Sequence, residues 1–369
     1  MSSEFKEPAV KSKSNLKHLR SIGIIFTFLG ICLFAYFIYS VGISEVLEGI
    51  GKIGFGGFAV ILFIYLLRIC VRASAWRLSV YEPYKLSFND TFQAVIIGEA
   101  VSSMIPLGIL ASGTSKAVAV SNRVPLVVGL SSVATENLFY TFVTSLFIIT
   151  GAIAFLFNYQ QDSSWLWTIY ILIGVIFALL FFIFSMILRQ WHLASKVCEW
   201  IYNKGFLQGV LEEGRLHVRL FENLIFSFYR RYPQRFAPIT LFQILYHACG
   251  IAEVWFILSK VSDVAPTFYS AFLLESVSRV VTVTFKLIPF AIGVDEATSQ
   301  FITENLALGV AVGVTIAIIR KGRILFWAIV GILIILFRGL TFAEILRHDE
   351  GIKFEPDEVK KVVSPSKLE

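Results

Sequence analysis

The chain has 369 residues, 56% of them hydrophobic and 16% charged, with 35 phenylalanines and a formal net charge of +6. A soluble domain cannot hide that much apolar surface from water, whereas a bilayer accommodates it, so composition predicts an all-α polytopic membrane protein. The basic residues stand in separate loops beside apolar runs, which suits cytoplasmic loops or anionic headgroups and excludes a nucleic-acid partner.

Residues 1–20 are polar and basic and read as a cytoplasmic tail. Residues 21–42 form a first span, too long for the apolar region of a signal peptide and not followed by a cleavage pattern. Residues 55–80 form a second span. Its later half carries Arg68, Arg72 and Arg77, which can snorkel to the headgroups. The segment 91–120 is apolar but broken by Gly98, Glu99, Pro106, Gly108, Ser112 and Gly113, with Lys116 close behind. Irregular backbone at membrane depth needs cover from protein or from a watery cavity. A re-entrant hairpin therefore fits better than a straight span, with Pro106 and Gly113 as its breaks.

Residues 125–157 read as one long helix or two short ones, with Glu136 and Asn137 inside. Residues 165–188 are a clean apolar span. Residues 189–235 are the longest basic stretch, and the positive-inside rule places them in the cytoplasm. Their apolar residues, from Phe206 to Ile225, recur near helical spacing and predict an amphipathic helix on the membrane surface. Residues 236–258 span again, carrying His247 and Glu253. Residues 266–290 follow with Glu275, Arg279, Thr282 and Lys286. Residues 293–306 are a second re-entrant candidate, with Pro289 and Gly293 as breaks. Residues 308–340 are apolar but interrupted by Arg320, Lys321, Gly322 and Arg323. The count is about seven or eight crossings in one membrane domain, 21–340, followed by a polar tail, 341–369. An even count returns that tail to the cytoplasm.

Two stretches echo each other. Ile105-Pro106-Leu107-Gly108-Ile109 is matched by Ile288-Pro289-Phe290-Ala291-Ile292. Each follows an apolar segment with an acid, Glu99 or Glu275, and precedes a long apolar run with an internal charge, Glu136 or Arg320. Interrupted segments at matching places are a signature of duplicated transporter folds and point toward a substrate site. The spacing does not decide whether the copies run parallel or inverted.

Charges inside apolar runs are expensive and persist where they pair, face water or handle a polar substrate. Glu275, Arg279, Thr282 and Lys286 share one helix face by their spacing. They form either an internal salt bridge that locks the bundle or a stripe lining a polar path. Lys286 is then an excess positive charge suited to a phosphate. Asp295 and Glu296 open a helix, where carboxylates favour the dipole, and Asp295 can cap it. Residues 112–115 can offer backbone N–H groups to an anion, with Lys116 adding charge. Matched positions pair Glu136 with Arg320; Glu253 is the alternative partner for Arg320, or a proton carrier. The candidate substrate-binding residues are therefore Glu99, Lys116, Glu136, Glu275, Arg279, Lys286, Asp295, Glu296 and Arg320. No metal ligand cluster, nucleotide motif or catalytic spacing is present, so no cofactor is expected and enzymatic activity is not the leading expectation.

At these residues the chain resembles the flippase-like transmembrane family, the membrane portion of bacterial lysylphosphatidylglycerol synthase/flippases and its free-standing relatives. Ile288-Pro289 followed by Gly293-Val294-Asp295-Glu296-Ala297 is similar to the family's proline and G-x-E-A element. Arg320 and Gly331 resemble its later arginine and glycine, and Arg72-Ala73-Ser74-Ala75-Trp76-Arg77 resembles its Arg…Arg-Trp stretch, with Ala75 in place of the second arginine. Near Pro106 the usual Gly-Glu…Arg is replaced by Ser112-Gly113-Thr114-Ser115-Lys116. The resemblance covers roughly residues 20–340. It implies a two-repeat helical fold with broken segments that moves lipids or lipid-linked precursors between leaflets. Aminoacylating members carry a soluble synthase domain after the membrane region; the tail 341–369 is too short for one, so that activity is not expected.

The leading expectation is a multi-pass protein of the cell inner (plasma) membrane, N-terminus cytoplasmic, that moves an amphipathic lipid with an anionic or glycosylated head. The alternative is a membrane-embedded enzyme or accessory subunit of lipid or cell-envelope glycolipid synthesis. The expected partners are membrane lipids and lipid- or glycolipid-synthesis enzymes.

Overall fold

A computed structural model describes residues 43–104, 108–158, 163–204, 208–284 and 293–337. The expected first span (21–42), Pro106, Lys286, Pro289 and the tail lie outside these residues. The described residues form eleven α-helices and no strand. They are α1 (Ile43–Leu78), α2 (Phe88–Met104), α3 (Gly108–Ala119), α4 (Leu126–Asn158), α5 (Ser163–Leu188), α6 (Leu193–Asn203), α7 (Gln208–Arg231), α8 (Phe236–Val261), α9 (Phe268–Thr284), α10 (Val294–Asn305) and α11 (Val310–Phe337). Stretches of α1, α4, α5 and α8 are long and apolar enough to cross a membrane. At 28 residues α11 is about 42 Å long and also exceeds the hydrocarbon thickness, but Arg320, Lys321 and Arg323 interrupt its apolar run.

The expected duplication is visible in the order and packing of the helices. The described parts of α2 and α3 cover 17 and 12 residues, and those of α9 and α10 cover 17 and 12. Each short pair is preceded by a long helix, α1 or α8, and followed by another, α4 or α11. The packing obeys the same exchange. Helix α1 lies along α8, α4 packs on α9, and α11 packs on α2. Glycines on the late long helices allow close approach. A Cβ at Gly331 of α11 would lie 2.5 Å from Ala100 Cβ in α2, and a Cβ at Gly151 of α4 would lie 2.5 Å from Ser276 Cβ in α9. Small residues at such crossings are the usual means of tight helix association in lipid.

The copies run in opposite senses. Lys52 near the start of α1 meets Asp263 just after α8, while Arg235 at the start of α8 reaches the carbonyls of Leu78 and Val80 at the end of α1. Tyr269 at the start of α9 donates to the carbonyl of Ala154 near the end of α4. Units α1–α4 and α8–α11 are therefore antiparallel, which decides the question the sequence left open in favour of an inverted repeat.

One expectation is corrected and one choice between alternatives is decided. Gly113 does not break the chain; it lies within α3. Residues 126–158 form one helix, not two. The amphipathic helix exists as α7, and its Leu220, Leu224 and Phe228 are buried in the protein's own apolar clusters. Helix α6 is tied to α7 by Glu222, which accepts hydrogen bonds from the N–H groups of Ala194 (2.8 Å) and Ser195 (3.3 Å) and caps α6. Helix α5 packs on α4 and exposes Ile171, Phe177, Phe181 and Phe184, as a lipid-facing helix does.

Candidate functional site

Two apolar clusters cap the ends of the bundle. One gathers Trp76, Val95, Val128 and Ile335; the other gathers Ile61, Val254, Leu274 and Ile316. Between them the long helices carry charge. On α11 the order runs Ile316, Ile319, Arg320, Arg323, Trp327, Ile335, from one apolar cluster through the charged layer to the other.

The charged layer has two parts. The first centres on Glu275 of α9. Its carboxylate accepts from Arg320 Nη2 at 2.6 Å, from Arg279 Nε at 3.0 Å and from Arg68 Nη2 at 3.5 Å. Glu253 of α8 accepts from Arg68 Nη1 at 3.3 Å and from Arg323. Arg320 also donates to Ser278 Oγ at 2.9 Å. Aromatic faces cover the guanidinium groups: Arg68 lies 4.3 Å from the Tyr246 ring centroid, and Arg323 lies 4.1 Å from that of Tyr65. Room for the Glu275 carboxyl comes from Gly250, where a Cβ would lie 2.8 Å from Glu275 Cδ.

The second part centres on Arg72 of α1. Its Nη1 donates to Glu99 at 3.3 Å, its Nη2 donates to Asn137 Oδ1 at 3.3 Å, and its Nε stands 3.5 Å from Glu136 Oε1. Gln243 Nε2 donates to the same Glu136 oxygen at 3.0 Å, and Tyr65 donates to Glu99. Lys116 of α3 is buried within electrostatic reach of Arg72, Glu136 and Glu99. Its stem crosses Gly98, where a Cβ would lie 2.6 Å from Lys116 Cγ. Any side chain at Gly98 would push that lysine away.

Glu99, Lys116, Glu136, Glu275, Arg279 and Arg320 thus come together in one layer, while Lys286 lies outside the described residues. The pairing of Glu136 with Arg320 does not occur, because Glu136 faces Arg72 and Gln243. Nor does Glu253 hold Arg320; it holds Arg68 and Arg323. Asp295 and Glu296 stand apart with Lys321, whose Nζ lies 2.5 Å from Glu296 and 4.0 Å from Asp295. At the start of α10, Gly293 has φ 84, the left-handed region that glycine enters without penalty, and its N–H donates to Glu296 Oε2 at 2.7 Å. Glu296, not Asp295, therefore satisfies the helix start.

Sequence reasoning missed Arg68 and Arg72. They do not snorkel: Arg68 is 2% exposed and both point into the bundle. The signal was there, since Tyr65, Arg68 and Arg72 make a polar stripe at i, i+3 and i+7 on an apolar helix. Arg323, Tyr246 and Gln243 were also missed; each is one polar group in an apolar run and gains meaning only from helices far away in sequence. His247 is buried against Phe147 and shares a hydrogen bond of 3.0 Å with Thr144 Oγ1, which is a packing role. Among the described residues no group of His, Cys, Asp and Glu is arranged to hold a metal ion.

Comparison with known proteins gives one family match, and neither the curated proteins nor the solved structures provide a significant relative. The matching family model is that of the lysylphosphatidylglycerol synthase TM region, over residues 21–342, which takes in both inverted units and the whole charged layer. The chain belongs to the lysylphosphatidylglycerol synthase transmembrane region family.

Proposed function

We propose that this protein carries lipids with anionic headgroups between the leaflets of the cell's inner (plasma) membrane. The observation that carries the reading is the charged layer itself, where Arg68, Arg279 and Arg320 converge on Glu275 between two inverted units. Inverted-repeat transporters place their substrate site near the bilayer midplane, at the repeat interface. Guanidinium groups are suited to phosphate because their planar fork matches two oxygens at once.

In this reading α2–α3 and α9–α10 are re-entrant pairs that enter from opposite faces of the membrane. Each pair carries a proline between its helices, Pro106 or Pro289, and the described parts of those helices are about 25 and 18 Å long against a hydrocarbon layer of roughly 30 Å. The headgroup reaches the arginines when the units rock apart, and the acyl chains stay in lipid. The basic segment 189–235 faces the cytoplasm, as does the N-terminus.

The test is reconstitution of the full chain into vesicles that contain a trace of fluorescent phosphatidylglycerol or phosphatidylcholine, with an impermeant quencher added outside. Faster loss of the protected phosphatidylglycerol signal than in protein-free vesicles is expected. A rate no higher than that of empty vesicles sinks the reading. Impermeant thiol labelling of Lys204→Cys in intact cells checks orientation, and labelling from outside would reverse it.

A further inference from the structure

We infer that the arginine-rich part of the layer receives a dianionic phosphate headgroup, a lipid phosphomonoester or diphosphate, in preference to a monoanionic diester or a zwitterion. This rests on the lipid-carrying reading above and adds a substrate class to it. Four arginines, Arg68, Arg279, Arg320 and Arg323, share two carboxylates, Glu253 and Glu275, and no other ion pair reaches these arginines among the described residues. Arginine stays protonated in proteins, so this part holds two positive charges beyond its own acids. The second part does not supply the missing acids, because Glu99 and Glu136 face Arg72 and Lys116. Asp295 and Glu296 are committed to Lys321. The residues 285–292 that continue from α9 contain Lys286 and no acid.

Hydrogen bonding points the same way. Arg68 Nε, Arg323 Nε and Trp327 Nε1 are buried donors without an acceptor among the described residues. All three groups flank Tyr65: its ring centroid is 5.5 Å from Arg68 Cζ, 4.1 Å from Arg323 Cζ and 6.2 Å from the Trp327 ring. The Tyr65 hydroxyl is used on Glu99. Aromatic faces ease a buried cation but neither cancel its charge nor accept its N–H bonds. Buried donors left bare are costly, and a phosphate offers several acceptor oxygens together with the compensating charge. A monoanionic diester answers one of the two excess charges. A phosphomonoester above its second ionisation, near pH 6, answers both.

The experiment measures binding to the purified full chain in neutral detergent, by native mass spectrometry and thermal shift, with phosphatidic acid, phosphatidylglycerol, phosphatidylcholine, diacylglycerol and inorganic phosphate. At about pH 7.5 phosphatidic acid is expected to bind roughly tenfold tighter than phosphatidylglycerol, and at about pH 5, where it too is a monoanion, the preference should vanish. Phosphatidylglycerol measured at both pH values reports any contribution from Glu253, Glu275, Glu99, Glu136, Lys116 and His247. Arg323→Gln is expected to reduce the preference below roughly threefold, because one excess charge is gone, while Arg323→Gln with Glu253→Gln restores the excess and the preference. If phosphatidic acid and phosphatidylglycerol bind equally at both pH values and both cross the bilayer, the dianion is overturned and the lipid reading stands. If inorganic phosphate binds and no lipid does, the dianion stands with a soluble source and the lipid reading falls. If nothing binds, both fall. The two pH arms use the unaltered chain, so the inference stays open to refutation even where Arg323→Gln does not fold.

Discussion

The two inverted units share a frame and differ in charge. Their helices follow one another in the same order, and Gly129 and Gly313 occupy like places, each bringing a long helix against the short helix before it. At the matched positions inside those long helices, however, one unit has Glu136 and the other Arg320. The first unit balances Arg72 and Lys116 with Glu99 and Glu136, whereas the second places Arg279, Arg320 and Arg323 around Glu253 and Glu275 and draws Arg68 across to them. Duplication supplies the scaffold; the charges set on it are separate, and they make one side of the layer neutral and the other cationic. A headgroup moving through it would not meet the same field in both halves.

The sharpest way to break that comparison is to remove one acid from each half. Glu275 is shared by three arginines, and Glu136 by one arginine and a glutamine. Leaving a buried ion without its partner costs roughly 3–5 kcal/mol, and Glu275→Ala leaves two without, Arg279 and Arg320, while Arg68 keeps only Glu253. It is expected to lose the monodisperse peak in detergent size-exclusion chromatography. Glu136→Ala should keep that peak with a lower melting temperature. Equal damage from both would show that the halves are electrostatically alike. Glu275→Gln combined with Arg279→Gln should regain part of the yield, since one cation leaves with the acid.

Steric contrast gives a smaller effect. A Cβ at Gly313 would lie 2.5 Å from the backbone nitrogen of Gln300, and backbone cannot rotate away. A Cβ at Gly129 would lie 3.3 Å from Ala117 Cβ, which a slight shift relieves. Overpacking costs typically ~1–3 kcal/mol. Gly313→Ala should therefore lower the melting temperature by several degrees, and Gly129→Ala by little or nothing. The reverse order would place the tighter short-to-long helix seam in the first unit.

How far the sequence carried this picture depends on what each signal measures. Apolar runs and the two Ile-Pro pairs located the helices and the duplication, because length, hydropathy and backbone breaks are local properties. The Glu275–Arg279 pair was legible for the same reason, being one helical turn apart. The direction of the repeat was not, since it depends on how many times the chain crosses between the copies. The partners of Arg68, Glu136 and Glu253 were not legible either. Their pairing joins helices α1, α4, α8, α9 and α11 across as many as 207 positions of sequence, and apolar stretches look alike until packing brings them together. Arg68 and Arg72 illustrate the limit: their sequence setting allowed snorkelling outward, and only the packing of α8 and α9 around Arg68, and of α2 and α4 around Arg72, turned them inward.

The smallest expected effect lies where the units meet outside the layer. Two ion pairs contrast where α1 meets α8 and the residues just after it: Arg68 with Glu253 at 3.3 Å and Lys52 with Asp263 at 3.4 Å. The chemistry and distance are nearly the same, but the side chains of the first pair are 2% and 1% exposed, and those of the second 38% and 95%. Water already solvates Asp263, and Lys52 has Glu48 3.6 Å away as a second partner. Exposed pairs contribute about 0–1 kcal/mol and are screened further by salt. Asp263→Asn should therefore leave the melting temperature within about a degree of the parent, with any small change lost as salt rises toward 1 M. Glu253→Gln, within the helix that Asp263 follows, removes a charge that Arg68 and Arg323 both use and should lower it by several degrees regardless of salt. If the two substitutions instead act equally and both respond to salt, water reaches the layer freely, and burial would no longer separate the cationic half from the rest of the surface.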